Sequence, residues 1–127
     1  RLNGTLRIID YKTARTKNLS ISTPKKEEDI EKTENLFFRD DYKQAMQLCI
    51  YAYSVLVQKR FPNQNLQCGI LSFAEVNKGV QQLSVFGENN INLELLQIPM
   101  KSVGNVIKEI LDPSIPFEEK IHQHWDA

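Results

Sequence analysis

At 127 residues, 41% of them apolar, the chain is long enough to bury one real core and short enough to be a single domain. Sixteen basic side chains balance sixteen acidic ones, which argues against a bulk polyanion binder, since such proteins carry basic excess across a whole face. No apolar run approaches the roughly 20 residues needed to cross a bilayer, so no membrane partner is expected.

The opening Arg1-Leu2-Asn3-Gly4 has neither an initiator Met nor a signal-peptide pattern. Asn3-Gly4 has the chemistry of a tight hairpin turn. The expectation is an excised piece of a longer protein, with a partner strand ending at or before Arg1. Residues 5–12 then alternate: Leu6, Ile8, Asp10 and Lys12 fall on one face and Arg7, Ile9 and Tyr11 on the other. The β-branched pair Ile8-Ile9 supports a strand.

Residues 13–39 show no sustained periodicity and read as a long loop or insertion. A short helix over residues 26–34 is compatible with Thr23-Pro24 as its start. Net charge is +6 over residues 1–26 and −5 over residues 27–41, the pattern of a solvated loop. Leu36-Phe37-Phe38 is its one strongly apolar patch and is expected to dock the loop's end to the body.

Asp40 or Asp41 can cap a helix running to about Arg60. Its apolar positions cover most of the circumference, which predicts burial on more than one side. Lys59 and Arg60 suit its C-terminal dipole, and Pro62 with Asn63 ends it. Residues 66–74 suit a central strand. Asn77-Lys78-Gly79 signals a turn, and residues 80–86 are expected to pair back. Residues 90–98 are ambiguous. Pro99 can open a helix with Val103, Val106, Ile107, Ile110 and Leu111 at helical spacing, stopped by Asp112-Pro113. Residues 114–127 read as a loop or short helix pinned by Phe117 and Trp125. Cys49 and Cys68 lack CxxC spacing and are expected to be buried reduced thiols, which fits a cytoplasmic protein.

The chemistry centres on Asp10 and Lys12. Two residues apart in a strand, a carboxylate and an amine project from the same face, where the first can hold a metal ion beside the second. Hydrolysis of a phosphodiester needs developing negative charge neutralised and water turned into a nucleophile, and Mg²⁺ on hard carboxylate oxygens does both. A neighbouring lysine orients or deprotonates the water, or stabilises the transition state. On its own, a D-x-K tripeptide is more often a salt-bridged strand end. Gln47 and Tyr51, four apart on the predicted helix, share one face of it.

The stretch Leu6-Arg7-Ile8-Ile9-Asp10-Tyr11-Lys12-Thr13, followed by Gln47-Leu48-Cys49-Ile50-Tyr51, resembles the RecB/AddB-type branch of the PD-(D/E)XK nuclease superfamily. In that branch an apolar strand ends in D-Y-K-T or D-Y-K-S, and the next helix carries Q-x-x-x-Y. The resemblance covers residues 1–13 and 40–75 and thins after about Phe86. It implies a restriction-endonuclease-like α/β core, a mixed sheet flanked by helices, of which this single domain is the C-terminal part without its first helix and strands. It implies Asp10 as a metal ligand for Mg²⁺ (Mn²⁺ as a substitute), Lys12 as the catalytic lysine, and Gln47 and Tyr51 lining the site. The parent would be a Mg²⁺-dependent deoxyribonuclease of DNA repair or recombination, exonuclease ahead of endonuclease, with DNA and a helicase subunit or domain as partners.

Three departures qualify it. The second metal-binding acid, about a dozen residues upstream of Asp10, would precede Arg1, so the 127-residue piece is expected to be inactive alone. The helix that opens the fold would precede it too. Many relatives carry an iron–sulfur cluster with a cysteine soon after a P-F segment; here Ile115-Pro116-Phe117 is followed by none, and no iron–sulfur cluster is supported. His122 and His124, without nearby cysteines, read as a solvated tail rather than a metal site. No glycine-rich phosphate loop is present. Two alternatives remain: a degenerate nuclease-like module for DNA binding or scaffolding, and an unrelated α/β domain in which D-Y-K decorates the surface.

Overall fold

The computed structural model describes residues 4–60 and 64–112. Along the chain come β1 (Thr5–Lys12), β2 (Ser20–Ile21), α1 (Glu27–Glu34), α2 (Lys43–Gln58), β3 (Asn65–Ser72), β4 (Val80–Gln82), β5 (Ser84–Val85) and α3 (Gln97–Ile110). Short 3-10 segments cover Leu36–Phe38, Asp40–Tyr42 and Phe73–Lys78. The domain is α/β, with a small mixed sheet flanked by helices. The sheet order is β1-β3-β4, and β2 and β5 form a separate parallel pair.

β1 runs parallel to β3, with Ile8 beside Cys68, Asp10 beside Ile70 and Lys12 beside Ser72. Because side chains alternate, one face of this pair carries Leu6, Ile8, Asp10 and Lys12 next to Leu66, Cys68, Ile70 and Ser72. That face meets α2, whose buried residues Ala45, Met46, Leu48, Cys49 and Ala52 join Leu66, Cys68 and Ile70 in the core. Burying each large aliphatic side chain there is worth about 1.5–3 kcal/mol. β4 returns antiparallel along β3, Leu71 beside Val80 and Gly69 beside Gln82. Gly79, at φ +64, takes the left-handed turn that starts β4.

Several expectations need correction. α2 is buried on one side only: Tyr51, Tyr53 and Val57 are exposed. An apolar circumference sets how much of a helix can be buried, not what the rest of the fold brings to it. Neither Asp40 nor Asp41 caps α2; both lie in the preceding 3-10 turn, Tyr42 occupies the cap position, and Asp41 instead accepts hydrogen bonds from Asn18 and Arg39. Lys59 in the left-handed conformation, φ 54, ends the helix. Pro62 and Asn63, expected to do so, lie outside the described residues, as do Asn3, Pro113 and residues 114–127 with His122 and His124.

Residues 13–39 are not a bare loop. Leu19 and Ile21 are buried, β2 pairs with β5, and α1 forms close to the expected 26–34, starting at Glu27. Phe37 docks as expected, fully buried, its backbone N–H donating to Ser102 Oγ at 3.0 Å. The expected strand over residues 80–86 is interrupted at Leu83 and changes partner from β3 to β2. α3 opens at Gln97, two residues before Pro99; Val103 and Val106 are buried but Ile107 and Leu111 are exposed. Cys49 and Cys68 are free, buried thiols, and burial pushes the pKa of each upward. Among the described residues no helix is long and apolar enough to cross a membrane.

Candidate active site

Asp10 and Lys12 come to the α2 side of the sheet because β1 alternates, and α2 brings Gln47 over them. Lys12 Nζ lies 3.2 Å from Asp10 Oδ2 and donates to Gln47 Oε1 at 3.1 Å. The lysine side chain is 30% exposed and the aspartate 23%, so the group is lodged in the surface rather than sealed in the core. Asp10 Oδ2 is buried and, apart from this ion pair, has no hydrogen-bond partner. A carboxylate oxygen normally accepts two bonds, so this one has unused acceptor capacity.

Tyr51 shares the α2 face of Gln47 one turn later but is 43% exposed. Among the described residues it makes no bond to Asp10 or Lys12. Of the four residues singled out in the sequence, Asp10 and Gln47 therefore each meet Lys12, and Tyr51 stands at the rim.

The chain just beyond Lys12 is fixed by side chains that sequence reasoning passed over. Ser72 Oγ, buried at the end of β3, donates to Ala14 O at 2.6 Å. Glu75 Oε1 accepts from Thr16 N at 2.9 Å. Gln44, one turn before Gln47, accepts from Lys17 N at 2.6 Å and donates to Arg15 O at 3.3 Å. Hydrogen bonds from Lys78 and then from Thr16 N hold the Glu75 carboxyl below its ordinary range. Three elements thus pin residues 13–17 as a strap over the ends of β1 and β3. The sole local signal is a polar residue at each anchoring position; the partners are backbone groups distant in sequence.

No protein-family model, curated protein or solved structure matches this chain. The site must be read from its own chemistry. Asp10 offers a hard oxygen of the kind a divalent cation prefers, with acceptor capacity to spare. Among the described residues, however, no group of three or more acidic, histidine or cysteine side chains gathers to hold a metal. One ligand fits; a complete donor set is not present there.

What the arrangement does without a metal is place a cation. The ammonium of Lys12 is gripped from the strand side by a carboxylate and from the helix side by an amide oxygen. A half-buried cation fixed in this way is held at a defined position, with little side-chain freedom left to lose on meeting an anion.

Proposed function

We propose that the chain belongs to a metal-dependent DNA nuclease of the PD-(D/E)XK type, built on a restriction-endonuclease-like core and acting in DNA repair or recombination beside a helicase subunit or domain. The observation that carries this reading is Lys12 held between Asp10 and Gln47 at the end of β1. Asp10 would supply one oxygen to Mg²⁺ (or Mn²⁺), the other donors coming from substrate, water and an acid outside the described residues. Bound there, the ion would neutralise phosphate charge and make water more acidic. Lys12 offsets the charge that accumulates on the phosphate oxygens during in-line attack. Gln47 keeps the ammonium aimed, and Tyr51 contacts the DNA at the rim.

The test uses end-labelled DNA and the parent protein with its upstream sequence. Mg²⁺-dependent cleavage is expected, lost in Lys12→Ala and Asp10→Asn with the fold intact by circular dichroism, whereas the 127 residues alone do not cut. A folded parent protein that leaves DNA whole overturns the reading.

One observation favours a second reading, a non-catalytic DNA-binding or scaffolding module. Lys12 is satisfied on both sides by the protein's own groups, as a purely structural ion pair would be. In that case Lys12→Ala leaves every activity of the parent unchanged.

A further inference from the structure

α3 carries a strip of apolar surface that no element among the described residues covers. Val103 and Val106 face the core, and on another side Lys101 and Asn105 are bonded to Glu34 of α1. Between those two contacts run Met100, Gly104, Ile107 and the cap residue Leu111, at steps of four, three and four, which sets them in one line along the helix. Ile107 is 46% exposed and Leu111 71%. Gly104 makes a notch in the strip, for a Cβ built there meets nothing within 4 Å. An interior glycine weakens a helix relative to alanine, and no packing within the described fold calls for this one. A chain lying across the strip would. Lys108 borders it, exposed and without an acidic partner among the described residues.

The sequence that follows α3 suits that strip. Residues 113–127 lie outside the described residues, and they start from the strip's most exposed end. Pro113 has no N–H with which to extend α3. Beyond it Phe117, Ile121 and Trp125 recur every four positions, the spacing of one helix face. Pro116 fits a first helical turn, and Glu118 and Glu119 suit its dipole. At helical rise Phe117 to Trp125 spans about 12 Å, and Ile107 back to Met100 about 10 Å.

We propose that residues 116–125 fold back antiparallel on α3, with Phe117 beside Ile107 and Leu111, Ile121 over the Gly104 notch and Trp125 toward Met100. Two antiparallel helices joined by about two to five residues form a recurrent unit, and residues 112–115 supply such a connection. The Glu118–Glu119 pair then comes to the Lys108 side of the strip. A second copy of α3 would instead set Lys101 and Lys108 against like charge, so the chain's own acidic segment is the better match. The inference is independent of the nuclease reading.

Trp125 is the single tryptophan of the chain, so its fluorescence reports this contact alone. In the full 127-residue chain its emission is expected to lie to the blue of the urea-unfolded chain, with acrylamide quenching several-fold weaker. Ile107→Asp and Leu111→Asp, at exposed positions, return emission and quenching most of the way to the unfolded values, while far-UV circular dichroism shows the domain still folded. Phe117→Ala moves both partway. Val76→Asp, at a site 62% exposed on the segment after β3, changes neither. An exposed Trp125 in the wild type, burial indifferent to both strip variants, or an equal effect of Val76→Asp overturns the proposal. So does burial that disappears on dilution together with a dimer in sedimentation, since a second copy would then hold the strip. Neither DNA nor metal enters the measurement, and the nuclease reading is untouched by either result.

Discussion

Lys12 Nζ donates to Gln47 Oε1 at 3.1 Å across 35 positions of sequence, and so ties the end of β1 to the first half of α2. The bond spans two elements that could otherwise slide past one another. Its acceptor is neutral, so it orients the ammonium without cancelling the charge.

This gives the first prediction. If the parent protein is the proposed nuclease, Lys12→Ala is expected to lower its single-turnover cleavage rate by about 10²-fold or more, the range for removal of a positioned charge or proton-transfer group. Gln47→Leu keeps the charge but releases it, and is expected to cost less, about tenfold, mostly in kcat. Stability of the isolated chain changes by less than about 1 kcal/mol in either variant, because the pair is partly exposed and solvent screens it. Urea midpoints read beside the rates separate the two effects.

How much of this was legible in the sequence follows from the range of the forces involved. β1 is written in alternation and β-branching, β3 in a run suited to a central strand, α2 in its long apolar run, and Asp10 with Lys12 on one face in a spacing of two. These are local signals. β2 is two residues long, too short for any period, and Ile21 is buried only because β5 lies beside it. The exposed side of α2 follows from which elements come to cover it. The anchors Gln44, Ser72 and Glu75 bond to backbone groups whose proximity exists only after the sheet has formed. The acids Asp40 and Asp41 look like caps, yet the chain enters α2 through a 3-10 turn that places Tyr42 there instead.

Gly69 supplies a second prediction. A Cβ built on it would lie 2.6 Å from Val80 Cγ1 and 2.8 Å from the backbone oxygen of Gln81. The valine can rotate; the backbone oxygen belongs to the paired strand and cannot move without opening the β3–β4 ladder. Gly69→Ala is therefore expected to destabilise by about 1–3 kcal/mol. Adding Val80→Ala should recover only part of that loss in urea denaturation, because the clash with Gln81 remains.

Ser102 is a third. Its hydroxyl, wholly buried on α3, accepts from the Phe37 N–H at 3.0 Å. Ser102→Ala strands a buried backbone donor and should cost about 1–3 kcal/mol. Hydrogen exchange at the Phe37 amide should accelerate by more than global unfolding accounts for, since the segment Leu36–Phe38 loses its tie to α3. Equal exchange rates in the two proteins would show that another acceptor takes over.

The two cysteines make stability depend on alkaline pH. Burial raises the Cys49 pKa from its ordinary 9.0, with the nearby Cys68 adding to the shift, and burial pushes Cys68 up to about 12. In the folded protein both thiols stay protonated at pH values where the unfolded chain has already released those protons. The unfolded state then binds fewer protons than the folded one, so the derivative of unfolding free energy with pH is negative. Stability from this source is complete below pH 9.0 and is lost as pH rises toward 12 for Cys68, and further for Cys49. Each thiol contributes at most about 1.4 kcal/mol per pH unit within its window. Lysines and tyrosines titrate there too, so the decisive quantity is a difference. Wild type should lose stability more steeply with pH than the variant carrying Cys49→Ala and Cys68→Ala, although removing buried sulfur makes that variant less stable at neutrality. A thiol reagent applied to the native protein at neutral pH should label neither cysteine until urea is added. Parallel pH profiles, or rapid native labelling, would mean that one of the thiols is open to water and that the α2–β3 core is looser than the packing of Leu48, Cys49 and Ile70 indicates.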